Sequence, residues 1–373
     1  MKVPFLDLTR EYSFIKGEVL KQLSEIFETQ SFILGKHVKS LEENLSKFLG
    51  VRDVIGVSSG TDALLISLMA LDIKSGDEVI VPSFTFYATA SSVARLGAKP
   101  VFADIDLETY NISVDDIDKK INKNTKCIIP VHLYGNPADI NRILEIANLK
   151  NIPVVEDNAQ AIGAEVDGKK TGSFGVMGCL SFYPTKNLGG AGDGGAISTN
   201  DDIISKKVRM LRVHGSGVRY YHDYIGVNGR LDEVQAAYVN IRFSRINQNN
   251  NERIRIANKY NYLLSDLEEK GFLVTPKVSN DKKHVFHQYT IRVPKYRDKL
   301  KEFLAQEGVG SDIYYPLPLH LQKCFSYLGY KEGDLPNTEK AAREVLSLPI
   351  FPGLSYKEIE YVVDMVYKFF KSI

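Results

Sequence analysis

The amino-acid sequence predicts an α/β fold, with a mainly parallel central sheet flanked by helices and a smaller α+β domain at the C-terminal end. Two observations predict it. Short β-branched runs alternate with amphipathic helical segments through the first two thirds of the chain, a pattern typical of a sheet layered with helices. After Leu231 the pattern changes to a long polar-rich helix followed by mixed elements.

Seven runs are the predicted strands of the central sheet. They cover residues 54–58, 78–82, 100–104, 127–132, 153–156, 179–183 and 195–199. Helical patterns at residues 62–71 and 137–149 lie between strands. Their lengths suit the crossover connections that parallel strands require.

The C-terminal region has its own sequence of predicted elements. They are a helix at 232–267, a strand near 289–293, a helix near 297–306 and a closing helix at 357–370. We place a domain boundary near Asn240, which gives a large domain at residues 1–240 and a small domain at residues 241–373.

Composition excludes several classes of protein. The 373 residues include 47 basic and 46 acidic side chains, for a net charge of +1, so the basic bias of a nucleic-acid-binding protein is absent. Cys127, Cys179 and Cys324 follow no CxxC or Cys/His spacing, and neither disulfides nor a metal site are expected. The charged N-terminal segment and the lack of an apolar run of ~18 residues predict a cytoplasmic protein without a membrane helix.

Lys186 stands in the segment Ser-Phe-Tyr-Pro-Thr-Lys-Asn-Leu-Gly-Gly at residues 181–190, directly after a predicted strand. A lysine on a constrained loop at a strand end can project into a cleft. Desolvation or neighbouring charge there lowers its pKa toward nucleophilic amine chemistry. The alternative is a solvated loop lysine, which this motif alone does not exclude.

Asp157 follows an apolar strand, at the kind of position where open α/β sheets bind ligands. Its carboxylate could pair with the protonated ring nitrogen of a heteroaromatic group. Gln160, three residues further on, could then hydrogen-bond to a phenolic oxygen of the same ring. The alternative is that Asp157 caps the next helix.

The segment Ser-Ser-Gly-Thr-Asp at residues 58–62 follows a strand and opens a helix. Free backbone N–H groups and the positive end of a helix make such a turn an anion site, and Gly60 allows a phosphate to approach closely. Helix capping by Ser59 or Thr61 is the alternative. The segment lacks both the GK[ST] of a Walker loop and the GxGxxG dinucleotide motif.

Other candidates gain meaning only together with these segments. Phe86 could stack on a flat ring, although an aromatic residue after a strand more often packs in the core. Asn228 could be a plain turn residue. His214, His222 and His320 show no metal-ligand spacing.

Taken in order, these segments resemble the nucleotide-sugar aminotransferases of the DegT/DnrJ/EryC1/StrS family, which are fold-type-I pyridoxal-phosphate enzymes. The similar segments lie at residues 4–8, 59–64, 82–86, 156–157, 181–189, 230–237 and 316–320. The resemblance implies pyridoxal 5'-phosphate as cofactor, bound in the large domain at residues 1–240, and no metal.

The resemblance also implies roles for the cofactor-site residues. Lys186 would bind the cofactor as a Schiff base, and Asp157 would face its ring nitrogen. The other implied contacts are Gly60, Thr61 and Ser181 at the phosphate, Gln160 at the ring hydroxyl and Phe86 over the ring.

Asn228 would reach the phosphate of the neighbouring subunit's cofactor, so the resemblance implies a homodimer with shared active sites. Implied substrate residues are Tyr183, Tyr221, His222 and His320. The chain departs from the family pattern at Ile162, where many members have histidine, and at Gly229, where many have serine.

The implied reaction moves an amino group from L-glutamate to a keto-sugar nucleotide. Residues 181–189 and 192–195 are more similar to the 3-aminotransferases of the family, which implies conversion of dTDP-3-keto-6-deoxyhexose to dTDP-3-amino-3,6-dideoxyhexose. A 4-aminotransferase is the first alternative. Three other functions fit the residues less well. A sugar dehydratase of the same fold typically carries histidine at the lysine position, where this chain has Lys186, and a non-enzymatic regulatory protein would be expected to lose Lys186 or Asp157, which are both present. A nicotinamide-dependent oxidoreductase would need a glycine fingerprint after the first strand, which this chain lacks.

Overall fold

The computed structural model describes residues 1–373 as an α/β protein. Its strands are β1 (Asp53–Val57), β2 (Glu78–Pro82), β3 (Lys99–Ala103), β4 (Thr125–Ile128), β5 (Val155–Asp157), β6 (Glu165–Val166), β7 (Lys169–Lys170), β8 (Met177–Ser181), β9 (Gly195–Thr199), β10 (Ser216–Val218), β11 (Tyr221–His222), β12 (Lys282–Lys283), β13 (Tyr289–Arg292) and β14 (Val345–Leu348).

The helices are α1 (Thr9–Thr29), α2 (Lys36–Leu49), α3 (Gly60–Ala70), α4 (Ala88–Arg95), α5 (Val114–Lys120), α6 (Ile140–Leu149), α7 (Asp202–Leu211), α8 (Glu233–Phe243), α9 (Ile246–Glu269), α10 (Arg297–Gln306), α11 (Pro336–Glu344) and α12 (Tyr356–Lys371). No helix is long and apolar enough to cross a membrane.

Seven strands form the central sheet in the order β3-β2-β4-β5-β8-β9-β1. Parallel bridges join β4 to the β5 region, between Ile128 and Val154 and between Val131 and Asp157. β9 runs antiparallel to both β8 and β1, and the other neighbouring strands are parallel. The prediction of a mainly parallel sheet is confirmed, and each of the seven predicted strands overlaps one of its strands.

Helices cover both faces of this sheet, as β2 illustrates. Val79 and Val81 pack in a core with α3, whereas Ile80 packs in a separate core with α5 and α6. All three valine and isoleucine side chains have no exposed surface. Because successive side chains of a strand point to opposite faces, a continuous apolar run is what a doubly covered strand requires.

A second large core lies among α9, α10, α12, β13 and β14. Val3, at the other end of the chain, also packs in it, since it forms a parallel bridge with Val309. The boundary that we propose near Asn240 lies within α8, and the chain enters the second core at Ile256.

The prediction of one helix over residues 232–267 is wrong. The chain leaves helical geometry at Arg245, where φ is −108° and ψ is 2°, and the helix is divided into α8 and α9. The backbone N–H of Arg245 donates to Arg242 three residues earlier, which tightens the last turn of α8. No glycine or proline marks this break in the sequence.

Candidate active site

A cavity of about 650 Å³ opens at the C-terminal ends of β2, β5 and β8. The turns that follow these strands, together with the start of α3, supply much of its lining. The small domain adds His287, Gln288, Ile313, Tyr314 and Tyr315. The cavity therefore lies at the strand ends where α/β sheets bind ligands, between the two cores.

Lys186 lies in this cavity on the loop after β8, and its side chain is partly buried. It forms no salt bridge and no side-chain hydrogen bond in the protein. Burial lowers the pKa of its amine to about 8, while the charge of Asp157 acts in the opposite direction. An amine with this pKa is partly neutral near physiological pH, and a neutral amine can act as a nucleophile or a base.

Asp157 is buried at the end of β5 in the same cavity. Its Oδ2 accepts a hydrogen bond from the Thr89 hydroxyl at 2.8 Å, and its Oδ1 accepts one from the Ala159 backbone N–H at 3.2 Å. Burial raises the pKa of Asp157, whereas these two hydrogen bonds and the charge of Lys186 lower it. The backbone bond closes a local turn, and no helix begins between β5 and β6, so the alternative in which Asp157 caps the next helix is wrong.

The neighbouring acid, Glu156, forms its hydrogen bonds entirely within the protein. Its carboxylate accepts hydrogen bonds from three backbone N–H groups in the segment 172–175 and lies 3.0 Å from His132 Nε2. His132 Nδ1 accepts from the Ala138 N–H, so Nε2 carries the proton and donates to Glu156. Because adjacent strand residues point to opposite faces, only Asp157 of these two acids lines the cavity.

Gln160 lines the cavity with its amide held on two sides. Its Oε1 accepts from the Tyr134 backbone N–H at 2.8 Å, and its Nε2 donates to the Tyr315 hydroxyl at 3.2 Å. An amide nitrogen has two hydrogens, so one N–H remains available to a ligand. The side chain is thereby oriented before any ligand binds.

Gly60 and Thr61 start α3 and line the cavity beside Ser181. The Ser59 hydroxyl caps the helix by accepting from the Asp62 N–H at 3.0 Å, so the predicted capping occurs. The backbone N–H groups of Gly60 and Thr61 have no partner in the protein. A Cβ on Gly60 would lie only 2.6 Å from the Ser181 Cβ, so glycine is needed for this close approach.

Aromatic side chains form another part of the lining. Phe86 is 55% exposed and lies 6.3 Å from Tyr315, measured between ring centroids. Tyr183 is also exposed, and Tyr314 lies beside Tyr315. The alternative that Phe86 packs in the core is therefore wrong.

Four predicted residues lie outside this cavity. Asn228, Tyr221 and His222 are exposed, the last two on the β10–β11 hairpin. His320 is buried, with Nδ1 2.7 Å from the Ser83 hydroxyl and Nε2 3.2 Å from Glu339. Both of its ring nitrogens are thus engaged within the protein.

Sequence reasoning missed Thr89, Tyr315 and His287, which come from α4 and the small domain. His287 is buried, its Nδ1 has no partner, and burial lowers its pKa well below the ordinary value. Thr89 lies in a helix of small residues with no motif. The sequence signal near Tyr315 is the resemblance at residues 316–320, which lies just beyond it.

Comparison with known families identifies the protein family to which the chain with this cavity belongs. The family described as DegT/DnrJ/EryC1/StrS aminotransferases matches residues 14–367. The chain belongs to this family. The resemblance inferred from its motifs is confirmed, and so is the pyridoxal-phosphate transferase fold.

Several relatives match the chain over nearly its whole length. A "pleiotropic regulatory protein" of Geobacillus stearothermophilus is 48% identical, over 100% of this chain and 99% of the relative. A UDP-N-acetyl-3-dehydro-alpha-D-glucosamine 3-aminotransferase of Acidithiobacillus ferrooxidans is 43% identical, over 98% and 97%. A dTDP-3-amino-3,6-dideoxy-alpha-D-galactopyranose transaminase of Aneurinibacillus thermoaerophilus is 40% identical, over 98% and 99%.

The crystal structure of DesV from S. venezuelae superposes with a TM-score of 0.95 at 36% identity, and the match covers 99% of this chain and 98% of that one. As a member of the DegT/DnrJ/EryC1/StrS family, the chain described here is a pyridoxal-phosphate-dependent sugar aminotransferase. Such enzymes use an amino donor and a keto-sugar.

Proposed function

We propose that this aminotransferase moves an amino group from L-glutamate to C3 of dTDP-3-keto-6-deoxyhexose and produces dTDP-3-amino-3,6-dideoxyhexose. The observation that carries the proposal is the presence, in one cavity, of an unpaired Lys186 with a lowered pKa and a buried Asp157. Perturbed ionisable groups that share a cleft are typical of catalytic sites.

The residues present fit pyridoxal phosphate. The free N–H groups of Gly60 and Thr61 and the Ser181 hydroxyl would hold the phosphate, because a helix N-terminus binds anions. Gly60 and Ser181 lie close enough to share one ligand, since a Cβ on Gly60 would come within 2.6 Å of the Ser181 Cβ and 3.0 Å of its Oγ. Asp157 would pair with the ring nitrogen, Gln160 would donate to the ring hydroxyl, and Phe86 would cover the ring face.

When bound, pyridoxal phosphate supplies an electron sink for the carbon that loses a proton. Asp157 would keep the ring nitrogen protonated, since a carboxylate favours a nearby positive charge. Lys186 Nζ would hold the cofactor between turnovers. In each half-reaction the freed amine would carry a proton, first from the α-carbon of L-glutamate and later to the sugar carbon that receives nitrogen.

Selection of C3 rests on the lining next to Lys186. Tyr183 precedes the lysine by three residues, and both face the cavity. A sugar must turn its keto carbon toward the amine, and a misplacement of ~1 Å can cost about a hundredfold in rate. Two relatives are named for amino groups at C3, one on a UDP-sugar and one on a dTDP-sugar, which supports the 3-amino product.

Two further features belong to the proposal. Asn228 is exposed and outside the cavity of its own chain, which supports a homodimer in which it completes the partner's site. Tyr221 and His222, on an exposed hairpin, are proposed to contact the substrate from the same side. His320 is proposed to act on the substrate side only through the residues it supports, Ser83 and Glu339.

The second candidate substrate is a UDP-linked 2-acetamido-3-keto sugar, which the 43% identical relative favours. The test is an assay of the purified enzyme with L-glutamate and each of three acceptors: the dTDP-3-keto sugar, the UDP-3-keto sugar and a dTDP-4-keto-6-deoxy sugar. We expect the highest kcat/KM with the first and an NMR spectrum that places nitrogen on C3.

Nitrogen on C4 would overturn the regiochemistry, and preference for the UDP-sugar would overturn the nucleotide. One relative is named a pleiotropic regulatory protein, so a result in which none of the three acceptors reacts also tests the proposal. If the cofactor binds and L-glutamate converts it, but no sugar reacts, the proposed acceptor class is wrong.

A further inference from the structure

The loop that presents Lys186 lies between β8 and β9 and contains no regular strand or helix. Three backbone hydrogen bonds close it: Lys186 N–H donates to the Tyr183 carbonyl at 2.8 Å, Gly190 N–H donates to the Phe182 carbonyl at 2.6 Å, and Phe182 N–H donates to the Gly194 carbonyl at 2.7 Å. These bonds set the turn but do not attach it to its surroundings. A lysine amine sits at the end of a flexible four-carbon stem, so its position depends on what fixes this loop.

Beyond Leu188, which packs in a core, the loop is attached to α8, where Arg242 donates to the Gly189 carbonyl and Gln235 accepts from the Ala191 N–H. Asn187, the residue next to the lysine, attaches it to the small domain. It is 5% exposed, and its Nδ2 donates to Asn250 Oδ1 at 2.8 Å and to the Val285 carbonyl at 3.1 Å. Asn250 lies on α9, and Val285 lies just before β13 in the small domain. One amide group therefore ties the lysine loop to two distant segments of the chain.

Asn250 extends the connection to the other side of the cavity. It is 2% exposed, and its Nδ2 donates to the Ile162 carbonyl at 2.9 Å. Ile162 follows Gln160 by two residues. A Cβ on the following residue, Gly163, would lie only 2.8 Å from Asn250 Nδ2, so the backbone here is shaped to admit this side chain.

We propose that Asn187 and Asn250 form a positioning pair that fixes Lys186 relative to the Gln160 turn and the small domain. The inference rests on the role proposed for Lys186. Neither asparagine lines the cavity, so the pair acts through the backbone of the lysine loop. With both donors of Asn187 used, a rotation of the loop would break two buried hydrogen bonds at once.

The test is the rate at which cofactor-free protein takes up pyridoxal phosphate onto Lys186. It is followed by absorbance and confirmed by borohydride reduction and peptide mapping, so it needs no sugar or amino donor. We expect Asn187→Ala and Asn250→Ala to slow uptake about tenfold or more, since ~1 Å of misplacement costs about a hundredfold in rate. The double variant should be no slower than the slower single variant, because both remove the same connection.

Asn249→Ala is the matched control. Asn249 lies on the same helix and is also buried, but its Nδ2 donates to Glu11 instead of the lysine loop. We expect a lower melting temperature and an uptake rate within about twofold of wild type, as the rate is set by placement of the lysine. If the alanine variants do not fold, Asn187→Asp keeps the size of the side chain and removes its N–H donors.

Wild-type uptake rates in folded Asn187 and Asn250 variants would overturn the inference, and so would equal slowing by Asn249→Ala. Failure of the underlying function looks different. In that case the reduced wild-type protein carries the cofactor on a lysine other than Lys186, or on none.

Discussion

The Thr89 hydroxyl donates a hydrogen bond of 2.8 Å to Asp157 Oδ2, and both residues are buried. The hydroxyl stabilises the charged carboxylate against burial, which by itself raises the pKa of Asp157. A buried carboxylate that must remain ionised thus depends on a neutral neighbour for part of its charge stabilisation.

Replacing Thr89 by valine removes this hydrogen bond and keeps the side-chain shape. We expect the pKa of Asp157 to rise further, so that a larger fraction of its carboxyl groups is protonated and neutral at low pH. The acidic limb of the kcat/KM profile should move to higher pH by about 0.5–1 unit, since a hydrogen bond contributes ~1 kcal/mol and one pKa unit is ~1.4 kcal/mol. Thr89→Ser, which retains the hydroxyl, should keep the wild-type profile. Coincident profiles for Thr89→Val and wild type would contradict this role.

Lys186 should make the stability of the cofactor-free protein depend on pH. Burial lowers its pKa from 10.5 to about 8, so the folded chain releases this proton at lower pH than the unfolded chain. Between these two values the unfolded state binds more protons, and the unfolding free energy rises with pH. We expect Lys186→Met to be more stable than wild type below pH 8, with a difference that shrinks toward pH 10.5. Urea unfolding of both proteins across this range measures it, and a constant difference would indicate an ordinary solvated lysine.

Gly60→Ala should weaken cofactor binding. The added Cβ would lie 2.6 Å from Ser181 Cβ, so the start of α3 must move away from Ser181 and open the proposed phosphate site. We expect the Kd for pyridoxal phosphate to rise about 10- to 100-fold, equal to ~1.4–2.8 kcal/mol. Gly17→Ala is the control, because a Cβ there has no atom within 4 Å and alanine stabilises a helix by up to ~1 kcal/mol. An unchanged Kd in Gly60→Ala would argue against phosphate binding at this turn.

Asn228 should act across the dimer. It is exposed and does not line the cavity of its own chain. If it completes the partner's site, a mixed dimer of Lys186→Ala and Asn228→Ala chains contains one intact site, and mixing the two inactive proteins should restore activity. Mass spectrometry of differently tagged chains verifies the exchange. No recovery in proven mixed dimers would mean that one chain builds each site.

Much of the fold and the centre of the site followed from contiguous sequence signals. The sheet strands are apolar runs, and Lys186, Asp157 and Gly60 each stand in a short segment next to a strand. Thr89, Tyr315 and Asn250 could not be found in this way, because their roles come from contacts with residues 63 or more positions away. No local pattern indicates such contacts.

The break between α8 and α9 was missed for a related reason. Ser244 and Arg245 are compatible with a helix, and the local propensity is overridden by packing. At Ser59 two functions that the sequence offers as alternatives, capping of α3 and a phosphate site, are compatible with each other. The helix uses its hydroxyl as the cap while the N–H groups of the next two residues stay free.

The central claim is that Lys186 holds pyridoxal phosphate, and borohydride reduction of the cofactor-loaded protein followed by peptide mapping tests it most directly. The account predicts that the reduced cofactor is attached to the peptide containing Lys186, and that Lys186→Ala lacks both this label and transamination. Attachment to another lysine, or near wild-type turnover in Lys186→Ala, would contradict it.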